Sequence, residues 1–450
     1  MADPTIYGNG TTTASGGANT ITHFYDRAGI KAANAVSIYS QFCDRKSMPQ
    51  NMGKTYKISK WQHIYDLDQD DADFAAKGYL GKRTLDSVTT NLANTGMSGT
   101  IAEGAGAVNK VTPKKVTFET TLARYGFMIE YTDDVVAFSE DAVQTRYREE
   151  LGYLMNQANE DLIQRDMLNS AGININAGGD IDDNQMGTYI EADGTNEDLY
   201  KVSFDVIRKG VRALVRNRAK RNTEKITGST KIGTMPINHA FYAIVGPEVK
   251  FDLETATRGA TYEKEFAYVP AYQYASASNL AEGEIGSMHD VRFIESEGAL
   301  VDAGKGWAVP EGYAGDLSVS TVTNGIKVVS GGAGGGTLTV DGVEFTLGAS
   351  ETMNIPAEAV TADITGDVTV GAAEDGERFD IFPILFPTKG SFATVGLKGS
   401  GRIQFYSKPP TDVDLTNPHG TKGFFSANMR YASIALQPEK LARINVLASA

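Results

Sequence analysis

Apolar residues recur every second position up to Tyr131 and every third or fourth position after Asp141, so a strand region gives way to a helix. Val116-Thr117-Phe118-Glu119-Thr120 alternates, and extended sequence continues through Leu122-Ala123-Arg124-Tyr125-Gly126 and Phe127-Met128-Ile129-Glu130-Tyr131. The chain then turns at Thr132-Asp133-Asp134. Val143, Tyr147, Leu151, Leu154, Met155, Ala158 and Leu162 place one apolar stripe on the helix, and its other face is Glu, Arg, Asn and Gln. Ser139 suits the N-cap, Glu140 and Asp141 the positive end, and Gly172 a left-handed residue after the last turn. About thirty residues make a rod roughly 45 Å long, enough to serve as a spine. Leu154 and Leu162 are expected to be buried, and Leu154→Asp to cost several kcal/mol.

Other segments follow the same logic. Gly8 to Thr20 is too polar and Gly-rich for a core, and Asp26 to Asp44 carries a short helical pattern. Thr55–Trp61 alternates, with Lys115–Glu130 as its natural partner strand. About fifty intervening residues, 66 to 114, are too many for a structureless loop inside a compact body. They suit a hairpin that projects toward a neighbour, where Lys57, Lys60, Lys82 and Arg83 would meet acidic surfaces. Glu197 to Ala219 predicts a second helix with Leu199, Val202, Val206, Ile207, Val211, Leu214 and Val215 on one face. Arg208, Lys209, Arg212, Arg216, Arg218, Lys220 and Arg221 gather toward its far end, where the dipole favours cations. Ile237–Val249 reads as a strand running into a Gly-Pro turn, with a helical turn from Phe251.

Residues 310 to 375 are rich in Thr, Val and Gly and nearly free of Lys and Arg. Short strands are expected at Leu317–Val322, Ile326–Ser330, Thr337–Val340, Val343–Leu347 and Asp363–Val370, with Asp341-Gly342 as a hairpin turn. The glycine run 331–336 lacks a following helix and Lys-Ser/Thr, so it is a turn and not a phosphate loop. Phe379–Lys398, Phe424–Ile434 and Ala442–Val446 complete the strands.

The chain has 450 residues and a formal charge of −14. That acidity argues against a free nucleic-acid binder, which concentrates cations, but not against a wall around DNA. No run is long and apolar enough to span a membrane, and Met1-Ala2-Asp3-Pro4-Thr5 does not read as a signal peptide. The lone Cys43 excludes an intrachain disulfide and is expected to be a small buried side chain. His23, His63, His239, His289 and His419 show no metal spacing, and no nucleophile elbow is present. Asp180, Asp182, Asn184 and Glu191 match positions of a calcium-loop template, but Gln185 stands where it needs glycine. No catalytic, cofactor-binding or metal residue is therefore assigned, and no cofactor.

The order Ile101-Ala102-Glu103-Gly104, loop, strand with Tyr125-Gly126, acidic turn and long helix resembles the major capsid proteins of tailed bacteriophages with the Hong Kong 97 (HK-97) type fold. A second anchor, Asn279 to Gly286 followed by Val291-Arg292-Phe293-Ile294-Glu295, is similar to the same family's axial-domain segment. The likeness is greatest to the enquatrovirus (N-four-like) group. The resemblance implies an α+β chain: N-terminal arm 1–50, E-loop hairpin 51–132, P-domain with spine helix 133–196, A-domain 197–309 and 376–398, and a return to the P-domain over 399–450. Residues 310–375 depart from the family pattern and are expected to form an inserted Ig-like β-sandwich on the outer surface. The implied function is a major capsid protein, self-assembling as pentamers and hexamers around double-stranded DNA in a virion built in the host bacterial cytoplasm. Portal, scaffolding and decoration proteins are candidate partners. The rival readings are an encapsulin-type cage around a protein cargo and a secreted β-rich carbohydrate-binding or hydrolytic protein.

Overall fold

A computed structural model describes residues 38–61, 103, 115–138, 143–224, 236–258, 263–264, 284–310, 312–330, 336–340, 343–347, 352–356, 360–366, 368–398, 403–412 and 417–450. The expected arm, the projecting loop with Lys82 and Arg83, the Ser139 cap and most of the Ile101–Gly104 and Asn279–Gly286 motifs lie outside them. Of the expected short helix only the end is described, as the 3-10 turn Tyr39–Gln41. Strands β1 (Asp44–Met48), β2 (Thr55–Trp61), β3 (Lys115–Thr121) and β4 (Ala123–Thr132) precede helix α1 (Asp133–Phe138) and helix α2 (Val143–Asn169). β2 and β3 pair antiparallel from Thr55 opposite Thr121 to Trp61 opposite Lys115, the partnership their alternation implies.

Next come β5 (Ile173–Asn176), α3 (Phe204–Arg216), β6 (Asn222–Glu224), β7 (Pro236–Val245), α4 (Pro247–Thr255), β8 (Thr257–Arg258), β9 (Glu263–Lys264), β10 (Glu284–Met288) and β11 (Val291–Glu295). The last third holds β12 (Val319–Ser330), β13 (Gly336–Val340), β14 (Val343–Leu347), β15 (Thr352–Pro356), β16 (Val360–Gly366) and β17 (Val368–Phe379). It ends with β18 (Phe382–Phe386), β19 (Phe392–Leu397), β20 (Ile403–Lys408), β21 (Lys422–Ala435) and β22 (Ala442–Val446).

A seven-stranded sheet runs β10-β11-β7-β18-β22-β5, with β6 also on β7. Successive side chains point to opposite faces of a strand, so two cores form. On one face Phe241, Ala243, Val245, Phe293, Ile384, Phe386 and Ile444 meet α3 and α4. On the other, Tyr242, Ile244, Ile294 and Leu385 meet Ile163, Met167 and Leu168 of α2. A five-stranded sheet forms around β21, which pairs with β4, β20 and β19 in turn. Its Tyr131, Phe425, Ala427 and Met429 pack on Leu151 and Met155 of α2. One helix thus backs both sheets, and Leu162 touches both cores.

This double duty explains the principal departure from the expected stripe. Leu151, Met155, Ile163 and Met167 are all fully buried. A step of four residues advances about 40° around a helix, so a stripe from 151 to 167 winds through about 160°. The straight stripe puts Leu154 inside. In the structure Leu154 is 40% exposed beside Tyr153 at 39%. Leu162 is half-buried. Gly172 is not left-handed either. A Cβ there would stand 2.6 Å from the Pro438 carbonyl oxygen, so glycine is kept for close approach.

The second helix starts seven residues later than its periodicity suggests. Glu197–Leu199 is a separate 3-10 turn, and Ser203 caps α3 by accepting from the Val206 amide at 3.5 Å. Buried Glu197 is held instead by the Tyr313 hydroxyl, which donates to Oε1 at 2.5 Å. Leu199 lies in that separate turn and is exposed, and Val215, expected on the apolar face, is exposed as well. Gly210 lets α3 approach β22, because a Cβ would stand 2.6 Å from Ile444 Cδ1. Gly246-Pro247 starts α4 rather than closing a turn, with proline in the first helical positions.

In the region expected to hold short strands, β12 is one continuous strand paired with β17 from Val319 opposite Phe379 to Ser330 opposite Val368. Asp363–Val370, expected as one strand, is split between the end of β16 and the start of β17. Thr352–Pro356 adds a strand that the pattern did not suggest. β15-β12-β17 and β14-β13-β16 form two three-stranded sheets. Val340 pairs with Val343, leaving Asp341-Gly342 as the two-residue connection. Tyr313 and Leu317 pack with the central core.

The winding stripe predicts opposite results for adjacent residues. Met155→Ala should lower unfolding stability by about 2–5 kcal/mol. Leu154→Ala should change it by about 0.5 kcal/mol or less. Urea unfolding of the full-length chain followed by circular dichroism checks both; equal losses would refute the burial pattern.

Candidate functional site

Among the described residues no group of three or more His, Cys, Asp and Glu side chains gathers. Of the calcium-template residues, Asp182 is engaged in a local turn, and Asn184 Oδ1 is buried without a hydrogen-bond partner. Asp182 and Gln185 form a reciprocal capping box on the turn Asp183–Gln185. Asp183, outside the template, accepts from the Asn174, Asn176 and Asn445 amides at 3.1, 2.8 and 2.9 Å. That ladder ties β5 to β22 through fully buried Asn445. His289 sits edge-on to the Phe204 ring, and Cys43 is half-buried with its thiol 3.5 Å from the Tyr39 carbonyl oxygen.

The hairpin cations expected to reach a neighbour are partly used within the chain. Lys57 pairs across the hairpin with Glu119 at 2.7 Å, and that hydrogen bond holds the Glu119 carboxyl below the usual carboxylate range. Lys60 donates to Glu439 Oε1 at 2.6 Å and fastens the hairpin to the turn Pro438–Lys440. The turn is braced by Asn217 Nδ2 on the Glu439 carbonyl at 2.7 Å and by Thr388 Oγ1 on the Lys440 carbonyl at 2.6 Å. Burial pushes the Lys440 ammonium below its usual value, and the cations Lys60, Lys220 and Arg218 act in the same direction.

A second surface borders the spine. Tyr125, Phe127 and Met128 of β4, Tyr153 and Leu154 of α2, and Phe405 and Tyr406 of β20 are all more than a third exposed. Phe138, at the end of α1, is 86% exposed. Tyr125, Phe127 and Phe405 share the sheet face that meets α2, beside Tyr153 and Leu154, and this much aromatic and aliphatic surface is the kind of patch a partner covers, whereas Met128 and Tyr406 point to the opposite face. Alternation along β4 sets Tyr125 and Phe127 on one face with Ile129 and Tyr131, but nothing in the sequence shows that α2 covers only the latter pair.

A third feature is a buried polar cluster at the foot of the β12–β17 ribbon. Asp380 accepts from the Gly304 amide at 2.7 Å and from the Ser318 and Ser320 hydroxyls at 2.9 Å each. Beside it Arg378 Nε donates to the Gly306 carbonyl at 2.7 Å. Burial lowers the Arg378 guanidinium to about 10, so it stays charged at neutral pH. The foot is therefore rigid, and whatever the ribbon carries is held at a fixed place.

Comparison with known proteins gives these surfaces a context. A family model described as "Phage capsid protein" matches residues 114–347. The major capsid protein of Pseudomonas phage KPP21 is 25% identical over 451 residues, spanning 96% of this chain and 94% of the relative. Among solved structures, the capsid of Ralstonia phage GP4 aligns with a TM-score of 0.50 at 10% identity, covering 98% of this chain and 99% of that one. The capsid of cyanophage P-SCSP1u aligns with a TM-score of 0.47 at 11% identity over 98% of each chain.

The two hairpin ion pairs differ in burial, which sets their worth. Lys60→Ala strands a mostly buried carboxylate and should cost about 1–3 kcal/mol. Lys57→Ala breaks a solvent-exposed pair and should leave the urea midpoint of the full-length chain where it was. A Lys60→Ala variant as stable as wild type would show that the hairpin is not fastened through Glu439.

Proposed function

The chain belongs to the phage capsid protein family, and on that premise we propose that it is the major capsid protein of a tailed bacteriophage, building an icosahedral shell of pentamers and hexamers around double-stranded DNA. Its role is structural, and no catalytic step is assigned. The shell is of the Hong Kong 97 type, with β2–β3 as the root of the E-loop, α2 as the spine of the P-domain and the seven-stranded sheet as the A-domain. The N-four-like group is the proposed kinship, and the host cytoplasm the proposed place of assembly.

The observation that carries this proposal is the apolar border of α2, β4 and β20. A lone subunit leaves Leu154, Phe127 and Phe405 facing water, whereas further copies of the chain cover them. The border lies on the rigid two-sheet unit, so each copy presents it in the same geometry. An encapsulin-type cage would use similar contacts around a protein cargo, and the contents of the particle separate the two.

The insertion expected over 310–375 begins later, because Tyr313 and Leu317 pack with the central core, and residues 323–375 are proposed as a small β-sandwich on the outer surface, built from β15-β12-β17 and β14-β13-β16. Packed neighbours leave little lateral room and the DNA fills the lumen, so the outside is the one direction open to added bulk. Portal, scaffolding and decoration proteins are the expected further partners.

The test is particle imaging. The wild-type chain should form closed shells with pentameric and hexameric units, holding DNA when made in infected cells. Leu154→Asp with Phe405→Asp should give a folded chain that no longer assembles. A wild-type chain that stays monomeric under all assembly conditions would overturn the proposal, and shells filled with a protein cargo would favour the cage. Deleting residues 323–375 and joining Val322 to Gly376 through a short Gly-Ser linker should leave shell size unchanged and remove density from the outer radius. Density lost from the inner radius would contradict the outward placement.

A further inference from the structure

Helix α3 carries a concentration of positive charge that packing does not explain. Arg208, Lys209, Arg212 and Arg216 are all exposed, and Arg218 and Lys220 continue the patch into the following turn. The whole chain has a formal charge of −14, so this face runs against the general balance. Attraction to the negative end of the helix accounts for cations in the last turn only. Because the helix begins at Phe204, Arg208 and Lys209 stand in its second turn, nearer the positive end, and Arg212 is in the middle. Arg208 has two weak partners, Asp205 at 3.9 Å and the Phe204 ring at 5.9 Å, and Arg221 pairs with Asp290 at 2.6 Å. Lys209, Arg212 and Arg216 have no carboxylate partner among the described residues.

The spacing is also regular. Arg208, Arg212 and Arg216 follow one another at four-residue intervals, which sets them in a row with about 6 Å of rise between neighbours. The opposite side of the helix is fixed to the sheet by Val206, Ile207, Val211 and Leu214, so the row is held in place.

Two kinds of partner could neutralise such a row: the phosphate backbone of DNA or an acidic face of another copy. Contacts between protein copies are built around apolar and aromatic anchors with charge kept to the rim. The cationic face of α3 has Val215 as its one large exposed apolar residue. Among the described residues the exposed aromatic side chains stand off α3: a group around α2, β4 and β20, and Trp61, Tyr189 and the α4 residue Phe251 singly. A row of cations without an anchor matches a polymer held through many separate phosphate contacts, which position a duplex without reading its sequence.

We infer that the exposed face of α3 binds the phosphate backbone of duplex DNA, without sequence preference, and therefore faces the lumen of the shell. This rests on the shell proposed above. An otherwise acidic wall repels the packed polymer, and a basic row at one fixed place in each copy would seat its outermost layer.

The experiment compares the full-length, unassembled chain with a variant in which Arg208, Lys209, Arg212 and Arg216 are all changed to Gln. All four are exposed, so folding should persist, and circular dichroism verifies it. A labelled duplex of about 30 base pairs is titrated by fluorescence anisotropy across about 50–300 mM salt. Wild type should bind with a steep salt dependence. The variant should bind at least about ten-fold more weakly at the lowest salt, with the slope of log K on log salt shallower by about 3. Arg146→Gln with Lys422→Gln, exposed on the α2 and β21 layer whose core is separate from that of α3, should behave as wild type. Equal binding by wild type and the α3 variant overturns the inference, as does an equal loss in the remote control. Unchanged DNA binding with failed shell formation by the α3 variant also overturns it, and gives the face to a contact between copies. Imaging the wild-type particles keeps the two claims apart. Shells with no α3 effect on DNA sink the inference alone, whereas no shells at all sink the function on which it rests.

Discussion

Everything else in the subunit depends on the contact of one helix with two sheets. Leu151 and Met155 close the core under β4 and β21, Ile163 and Met167 close the one under β7 and β18, and Leu162 reaches both. The Tyr431 hydroxyl adds a directional bond, donating to Asp166 Oδ2 at 2.8 Å. Burial and the neighbouring carboxylate push that hydroxyl well above its usual range, so it remains a donor at any physiological pH. Removing the helix would expose an apolar face on each sheet at once. The relative placement of the sheets, and hence of the hairpin, α3 and the ribbon, follows from this shared seam.

Around the seam, polar groups do the positioning that apolar packing cannot. Packing is tolerant of direction, whereas a hydrogen bond weakens steeply when misaligned. The Asn445 ladder sets β5 beside β22, Glu197 draws the segment around Tyr313 onto the body, and Asp380 with Arg378 fixes the ribbon's exit. Each of these groups is substantially buried, so losing one partner leaves the other without water to replace it. Specificity of shape is concentrated in a few such places.

What could be read from the sequence was what neighbouring residues decide among themselves. The β2–β3 pairing, the long helix and the β13–β14 pairing on either side of Asp341-Gly342 follow from spacing and turn chemistry within short stretches. Failures occurred where a distant residue intervened. Leu154 was misplaced because a straight stripe assumes one partner surface, and α2 has two. The start of α3 was misplaced because Glu197 is claimed by Tyr313, which is far away along the chain. Gly172 is explained by Pro438, and Lys60 by Glu439, neither of which local pattern could supply. The cationic row on α3 was visible as composition. Only the true first residue of the helix showed that the dipole does not account for it.

The foot of the ribbon has a practical consequence. Val322 and Gly376 are opposite one another in the antiparallel ladder, so the chain leaves and re-enters the body across a single rung, about 5 Å between Cα atoms. Whatever lies beyond that rung contributes its own folding but does not set the spacing of the two ends. A foreign domain whose termini lie close together could take that place with little change in the closure entropy of the host chain. The rung is in effect a standard socket, and a particle made of many such subunits would repeat the socket with fixed orientation over its whole surface.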